Sequence, residues 1–220
     1  MSDIQIIQGD CLEIMKTFAD NQFDLVLTDP PYGIGRDALH EKNKGNWGFK
    51  QYGETDWDKP VSREQIEAII RIGKNQIIFG ANYFPQYLPP SMCWVFWYKM
   101  QPNFSFSDGE FAFTSFQSKA RIFQYARGNE SGFAPCVSDN AGINKHPTQK
   151  PVALMKWCLE NYTNEGDTVL DPFLGSGTTA VACERMGRNC VGIEISEEYC
   201  EIARKRVQEE KDKMGLFNGL

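Results

Sequence analysis

Two hydrophobic rhythms alternate along the chain. Short, nearly continuous apolar runs recur at Ile4-Gln5-Ile6-Ile7, Phe23-Asp24-Leu25-Val26-Leu27-Thr28, Gln76-Ile77-Ile78-Phe79 and Cys93-Trp94-Val95-Phe96-Trp97-Tyr98, then at Glu110 to Phe116, Arg121 to Tyr125, Thr168-Val169-Leu170 and Asn189-Cys190-Val191-Gly192-Ile193. Runs of this length between turn residues predict buried strands. The intervening segments carry apolar residues at helical spacing. Leu12, Met15 and Phe18, with Ile14, share one face; Ile66, Ile69 and Ile70 follow the capping box Ser62-Arg63-Glu64-Gln65; Val152, Met155, Leu159 and Tyr162 follow Pro151. A small-residue helix at Ala180, Val181 and Ala182 closes at Gly187, and Ser196 caps a last helix facing Ile202, Ala203 and Val207 inward. Strands alternating with helices predict an α/β fold with a mostly parallel sheet, and 220 residues suit a single domain.

Two strand ends break the pattern with chemistry. Ligands of open α/β sheets sit beyond the carboxyl ends of the strands. The seventh run enters Asp171-Pro172-Phe173-Leu174-Gly175-Ser176-Gly177-Thr178-Thr179, a glycine-rich turn into a helix. Such a turn lets backbone approach a ligand closely, and Glu194, about twenty residues on, ends the next strand where a carboxylate can hold ribose hydroxyls. Together they predict a site for an adenosine-containing cofactor. No lysine lies between Lys156 and Lys205, so a Walker A phosphate loop is disfavoured. A nicotinamide dinucleotide stays open on this motif, although Ala180 stands where its third glycine falls.

At the other strand end, Asp29-Pro30-Pro31-Tyr32-Gly33 stops the second run, because prolines cannot donate to a ladder. A carboxylate, a carbonyl and an aromatic ring then stand within four residues. Asp29 and the Pro30 carbonyl can accept two hydrogen bonds from a planar exocyclic amine while Tyr32 stacks on its ring. Two such hydrogen bonds can draw the nitrogen out of conjugation with the ring and free its lone pair for an electrophile. An ordinary Pro-Pro turn would use the same residues.

Composition narrows the class. Hydrophobic residues at 41% and charged residues at 24% are those of a globular protein, and no apolar run reaches a membrane span. Seven cysteines without a Cys-x-x-Cys pair, and only two histidines, predict reduced thiols in a cytoplasmic protein and no metal site. The net charge of -6 opposes a nucleic-acid partner on average, but it is unevenly spread. Residues 1–35 balance at -5, residues 36–150 at +3 and residues 151–220 at -4.

Asp29-Pro30-Pro31-Tyr32 early and Asp171-Pro172-Phe-x-Gly-Ser-Gly-Thr-Thr late resemble the S-adenosylmethionine-dependent amino-methyltransferases of DNA, in the permuted motif order of their beta group of adenine-N6 and cytosine-N4 enzymes. The resemblance spans residues 4 to about 207. It implies a doubly wound, Rossmann-like sheet of seven strands and direct transfer of the sulfonium methyl group to an amino nitrogen. Asp29, Pro30 and Tyr32 become the catalytic residues. Asp171, Phe173, Gly175, Ser176, Gly177, Thr178 and Glu194 become cofactor residues, with Glu194 at the ribose. Gly9-Asp10-Cys11-Leu12 resembles the family's strand-end acid, implying that Asp10 and the Cys11 backbone meet the cofactor adenine. Lys145-His146-Pro147-Thr148-Gln149-Lys150-Pro151 implies Thr148 and Lys150 near the methionine moiety. Ile78 to Tyr83 resembles a segment at the pocket edge. No covalent cysteine is needed, so Cys136 reads as a loop cysteine.

A base in duplex DNA must be swung out to expose its amine. The 33–58 segment, with Arg36, Lys42, Lys44 and Lys50 for phosphates and Trp47, Phe49 or Trp57 as wedges, is the expected mobile DNA-contact loop. Target recognition is expected within 99–146, where Lys99, Lys119, Arg121 and Arg127 alternate with Asn103, Gln117, Gln124 and Asn129. That segment is short, so a short site or a second subunit in a homodimer is expected. Asp at position 29, where cytosine-N4 enzymes of this type more often carry Ser, favours adenine. Cytosine-N4 transfer, RNA base methylation and a catalytically silent DNA-binding partner remain the alternatives.

Overall fold

The computed structural model describes residues 2–33, 59–100, 107–126 and 149–217. Among these residues eight strands form one sheet: β1 (Ile4–Gln8), β2 (Leu25–Thr28), β3 (Gln76–Phe79), β4 (Trp94–Tyr98), β5 (Gly109–Thr114), β6 (Arg121–Gln124), β7 (Thr168–Asp171) and β8 (Asn189–Glu194). Their spatial order is β1-β8-β7-β2-β3-β5-β4-β6. The doubly wound α/β class holds, with eight strands in place of the seven that the resemblance implied. All eight apolar runs are strands, and β6 extends the sheet through its parallel pairing with β4. β5 alone runs against its neighbours, pairing antiparallel with both β3 and β4.

Among the described residues, five α-helices cover the two faces: α1 (Cys11–Met15), α2 (Arg63–Ile72), α3 (Val152–Tyr162), α4 (Thr178–Met186) and α5 (Glu197–Phe217). Successive strand residues point to opposite faces, so the central strands serve two cores. Leu25, Leu27, Ile77, Phe79 and Val169 pack with Val152, Met155, Val181 and Ala203 of α3, α4 and α5. Val26, Ile78, Phe113 and Leu170 pack with Met15, Ile66, Ile69 and Ile72 of α1 and α2. Buried on both sides, these strands need continuous apolar runs.

Local signals set the helix boundaries. The capping box closes in both directions, with the Gln65 backbone N–H donating to Ser62 Oγ at 3.2 Å and the Ser62 N–H to Gln65 Oε1 at 2.8 Å. The stripe behind it is Ile66, Ile69 and Ile72. Ile70, expected on that face, is only partly buried, because the stripe follows the i, i+3 row down to the helix end. α1 lasts little more than a turn, leaving Phe18 to meet Phe23 edge-on from the loop beyond.

β1, β8, β7, β2 and β3 are parallel, so their carboxyl ends share one rim. From β2 the order continues to β3 on one side, and from β7 to β8 on the other. The β2–β7 junction is the switch point at which open α/β sheets bind ligands. β4 also ends at this rim, and β5, being reversed, starts there.

Candidate active site

Asp29 leaves β2 at the switch point, and its carboxylate is bound from both sides. The Lys150 ammonium donates to Oδ2 and the Tyr32 hydroxyl to Oδ1. Tyr32 is brought back over the strand end by the Pro-Pro turn, whose Pro31 carbonyl accepts from the Val61 N–H. Its ring stacks on Tyr83 with centroids 5.1 Å apart and planes at 19°. Gly80 permits this approach: at φ 66° it tolerates the left-handed turn, and a Cβ there would stand 1.9 Å from the Tyr32 ring.

Two residues that the sequence did not mark as catalytic complete the cluster. Glu110, at the start of β5, meets the Lys150 ammonium at 3.0 Å and the Lys99 ammonium at 2.7 Å, and its Oε2 lies 3.4 Å from the Tyr32 hydroxyl. Lys99 lies one residue beyond β4. The sequence placed Lys99 in the recognition segment, but it is buried in this ion pair. Two ammonium groups and two carboxylates thus alternate, and buried charges persist when paired in this way. Burial works to raise the Glu110 carboxyl, yet Lys150 and Lys99 hold it down at about 2. Burial likewise opposes the Lys150 charge, but Asp29 and Glu110 outweigh it and lift the ammonium above its ordinary range. The sequence did hold a signal: a charged residue at the rim end of each of two apolar strands.

Across the junction, the β7 loop is built around Asp171. Its Oδ1 accepts from Thr28 Oγ1 at 2.8 Å and from the Phe173 N–H at 3.1 Å, and its Oδ2 from Thr179 Oγ1 at 2.6 Å. Burial raises this carboxyl to about 6, against those hydrogen bonds. Asp171 therefore ties β2, the loop and α4 together, with its oxygens directed into the protein. Ser176 and Thr178 are also held from within. Arg206 of α5 donates to the Ser176 carbonyl at 2.6 Å and to Ser176 Oγ at 3.0 Å, with Thr178 Oγ1 at 3.4 Å. Gly177, at φ 86°, packs so closely on α5 that a Cβ would lie 2.7 Å from the Ala203 Cβ.

Gly175 differs from these. Its φ is 54°, and nothing lies within 4 Å of where a Cβ would stand. Bare backbone thus faces open space at the rim, a cradle into which a ligand can come close. The Gly175 N–H donates to Glu194 Oε2 at 2.9 Å, and Glu194 Oε1 accepts from the Ser196 N–H at 2.9 Å. The Gly9 N–H donates to the Glu194 carbonyl, aligning the ends of β1 and β8. Next to Gly9, Asp10 caps α1 by accepting from the Glu13 N–H at 3.0 Å. Cys11 is buried and bonded to the Gln65 amide, and burial, with Asp10 nearby, keeps its thiol protonated up to about 11. Asp10, Cys11, Phe173, Gly175 and Glu194 are thus gathered at the ends of β1, β7 and β8.

Lys150 stands on the Asp29 side of the junction. Thr148, Arg36, Lys42, Lys44, Lys50 and Cys136 lie outside the described residues, as do 34–58 and much of 99–146. Residues 107–126 of that recognition segment belong to the sheet, through β5 and β6. Among the described residues no group of His, Cys, Asp and Glu is arranged to hold a metal ion, and no helix is long and apolar enough to cross a membrane. The described cysteines are free and buried.

An open glycine backbone after β7 and an acidic, aromatic turn after β2 flank the switch point, an arrangement suited to a group-transfer enzyme. Residues 55–205 match the DNA methylase family model, which joins N6 and N4 methyltransferases. The chain is 52% identical to the type II methyltransferase M2.DpnII of Streptococcus pneumoniae, over 94% of this chain and 90% of that protein. It is 30% identical to the type II methyltransferase M.HpaI of Haemophilus parainfluenzae, over 99% of this chain and 76% of that one. Among solved structures, the M1.HpyAVI–SAM complex matches with a TM-score of 0.55 at 26% identity, covering 93% of this chain and 98% of that one. The cytosine-N4-specific PvuII DNA methyltransferase shares the fold, with a TM-score of 0.62 at 16% identity over 96% and 91% of the two chains. The protein belongs to the N6/N4 DNA methylase family and is a DNA amino-methyltransferase that uses S-adenosylmethionine.

Proposed function

We propose that the protein methylates the exocyclic N6 amine of an adenine swung out of duplex DNA. The observation that carries this reading is the carboxylate of Asp29 at the end of β2, held by Lys150 and Tyr32 at the mouth of the switch point. Each of its oxygens accepts one internal hydrogen bond and keeps lone-pair capacity for another. One N–H of the amine is accepted there and the other by the Pro30 carbonyl. Two such hydrogen bonds draw the nitrogen toward tetrahedral geometry and its lone pair out of conjugation with the ring. Tyr32 orients the base by stacking, within an aromatic wall that already includes Tyr83. Bound S-adenosylmethionine supplies an electrophilic methyl group.

The Gly175 backbone, Phe173, Glu194, Asp10, Cys11 and Thr148 hold that cofactor, Glu194 at the ribose and Asp10 with the Cys11 backbone at the adenine. Asp171, Ser176, Gly177 and Thr178 shape the loop it rests on. Catalysis then comes from alignment and from hydrogen bonds aimed at the amine. Outside the sheet, residues 33–58 grip the backbone through Arg36, Lys42, Lys44 and Lys50. The remainder of 99–146 reads the target, with a second subunit helping if the protein dimerises.

Nucleoside analysis of duplex DNA treated with enzyme and cofactor tests the proposal. N6-methyladenine is expected; N4-methylcytosine without it overturns the adenine assignment, and methylation of RNA in preference to duplex DNA overturns the substrate. Asp29→Ala is expected to lower turnover by about a thousandfold or more while cofactor affinity stays within a few-fold.

A further inference from the structure

Lys150 is a long, flexible side chain, yet its ammonium occupies one defined place. It has three N–H donors, and three acceptors surround it: Asp29 Oδ2, Glu110 Oε2 at 3.0 Å and the Tyr32 hydroxyl at 3.2 Å. The Tyr32 hydroxyl in turn donates to Asp29 Oδ1. The plane of the Asp29 carboxylate is therefore set by two groups, and one of them is set by Glu110. Glu110 is itself fixed on its far side by Lys99 at 2.7 Å. The chain of charges runs Lys99, Glu110, Lys150, Asp29, from the reversed half of the sheet into the strand end that carries the chemistry.

We propose that Glu110 is a positioning residue for methyl transfer, anchoring the Lys150 ammonium where it orients the Asp29 carboxylate, with Lys99 anchoring Glu110. The proposal rests on the reading that Asp29 receives the target amine. Without Glu110, the Lys150 ammonium is free to turn wholly onto Asp29 and take up the lone pairs that the amine needs. Burying four charges is also a costly way to hold strands together, since apolar residues of similar volume do so as well or better. The cluster's position supplies the reason for it: β5 runs backwards, so its first residues reach the same rim at which β2 and β4 end. The folded values of both groups agree with a coupled set, Glu110 low and Lys150 high.

Glu110→Gln keeps the shape and removes the charge. Turnover is expected to fall about tenfold or more while cofactor affinity stays within about threefold. The pH profile of turnover separates positioning from structure. Losing one of the two carboxylates that raise Lys150 lets it deprotonate at lower pH, so an alkaline limb is expected to enter at lower pH than in the wild type. Glu110→Asp, which restores the charge one methylene short, should recover part of the turnover and remove that limb. Wild-type turnover with an unmoved profile overturns the proposal, as does a loss of turnover with no alkaline limb. If Glu110→Gln does not fold, Glu110→Asp alone decides: reduced turnover at unchanged cofactor affinity supports positioning, and wild-type turnover overturns it. Asp29→Ala in the same assay separates the two readings. An inactive Asp29→Ala beside a fully active Glu110→Gln sinks only the role of Glu110, whereas an active Asp29→Ala sinks the amine-binding reading itself.

Discussion

Replacing Asp171 by Asn should make the protein's stability less dependent on pH while leaving the cofactor loop intact. The side chain is 4% exposed and receives hydrogen bonds from Thr28, Thr179 and the Phe173 backbone. An Asn can reproduce this set: its carbonyl accepts from Thr28 and Phe173, and its amide donates to a rotated Thr179 hydroxyl. What it removes is the titration. Burial raises Asp171 from 3.8 to about 6, roughly two units, or about 3 kcal/mol at full extent. Because the folded-state value is the higher one, this stabilisation is fully present below about pH 3.8 and is lost as pH rises through about 6. From about pH 5 to about pH 8, wild type should therefore lose about 1.4 kcal/mol relative to Asp171→Asn. Urea unfolding of both proteins at the two pH values measures the change in the gap, and the other titrating groups cancel in the comparison. A gap independent of pH, or one that moves the opposite way, refutes the reasoning.

The remaining predictions concern close approaches and the cationic segment. Gly80→Ala drives a methyl into the Tyr32 ring and strains a left-handed residue, so stability should fall by about 1–3 kcal/mol and turnover by more than tenfold, read by thermal unfolding and kinetics. Gly175→Ala and Gly166→Ala carry similar backbone strain, about 1 kcal/mol each, and in both the new methyl meets no protein atom within 4 Å. Only Gly175→Ala should weaken cofactor binding, by about tenfold in titration calorimetry; equal affinities would remove the cradle from the argument. Replacing Lys42, Lys44 and Lys50 together by Ala should lower the salt slope of DNA binding by up to about 3. An unchanged slope at wild-type affinity would exclude them from phosphate binding.

What the sequence made legible was local. Buried strands read as continuous runs, the capping box read from Ser62 and Gln65, and the glycine loop and Asp-Pro-Pro-Tyr turn read from residues a few positions apart. What escaped reading was contact between distant residues. Lys150 and Asp29 lie 121 positions apart in the chain, and Glu110 joins them only because β5 is inserted antiparallel between β3 and β4. Nothing in the run Glu110-Phe111-Ala112-Phe113 distinguishes that direction from the parallel one. The same gap hid Arg206, which reaches back from α5 to the Ser176 carbonyl. The side chains of Ser176, Thr178 and Asp171 also have internal hydrogen-bond partners that their places in the glycine loop did not announce.

Tertiary contact also changes how the charge of the middle segment counts. Its balance of +3 treats every base as available to DNA, but Lys99 and Lys150 are buried against Glu110 and Asp29. Arg71 is paired with Asp20 and Lys74 with Asp24 of the acidic first segment. Those cations are neutralised locally and add little to the field seen from a Debye length away. The attraction for a polyanion then rests more heavily on the bases outside these pairs, and the run from Arg36 to Lys50 concentrates four of them within fifteen residues, directly after Tyr32. If DNA is met through so short a stretch, wild-type binding should fall steeply with salt and the mutated stretch should make that dependence shallower, while cofactor affinity should respond weakly to either.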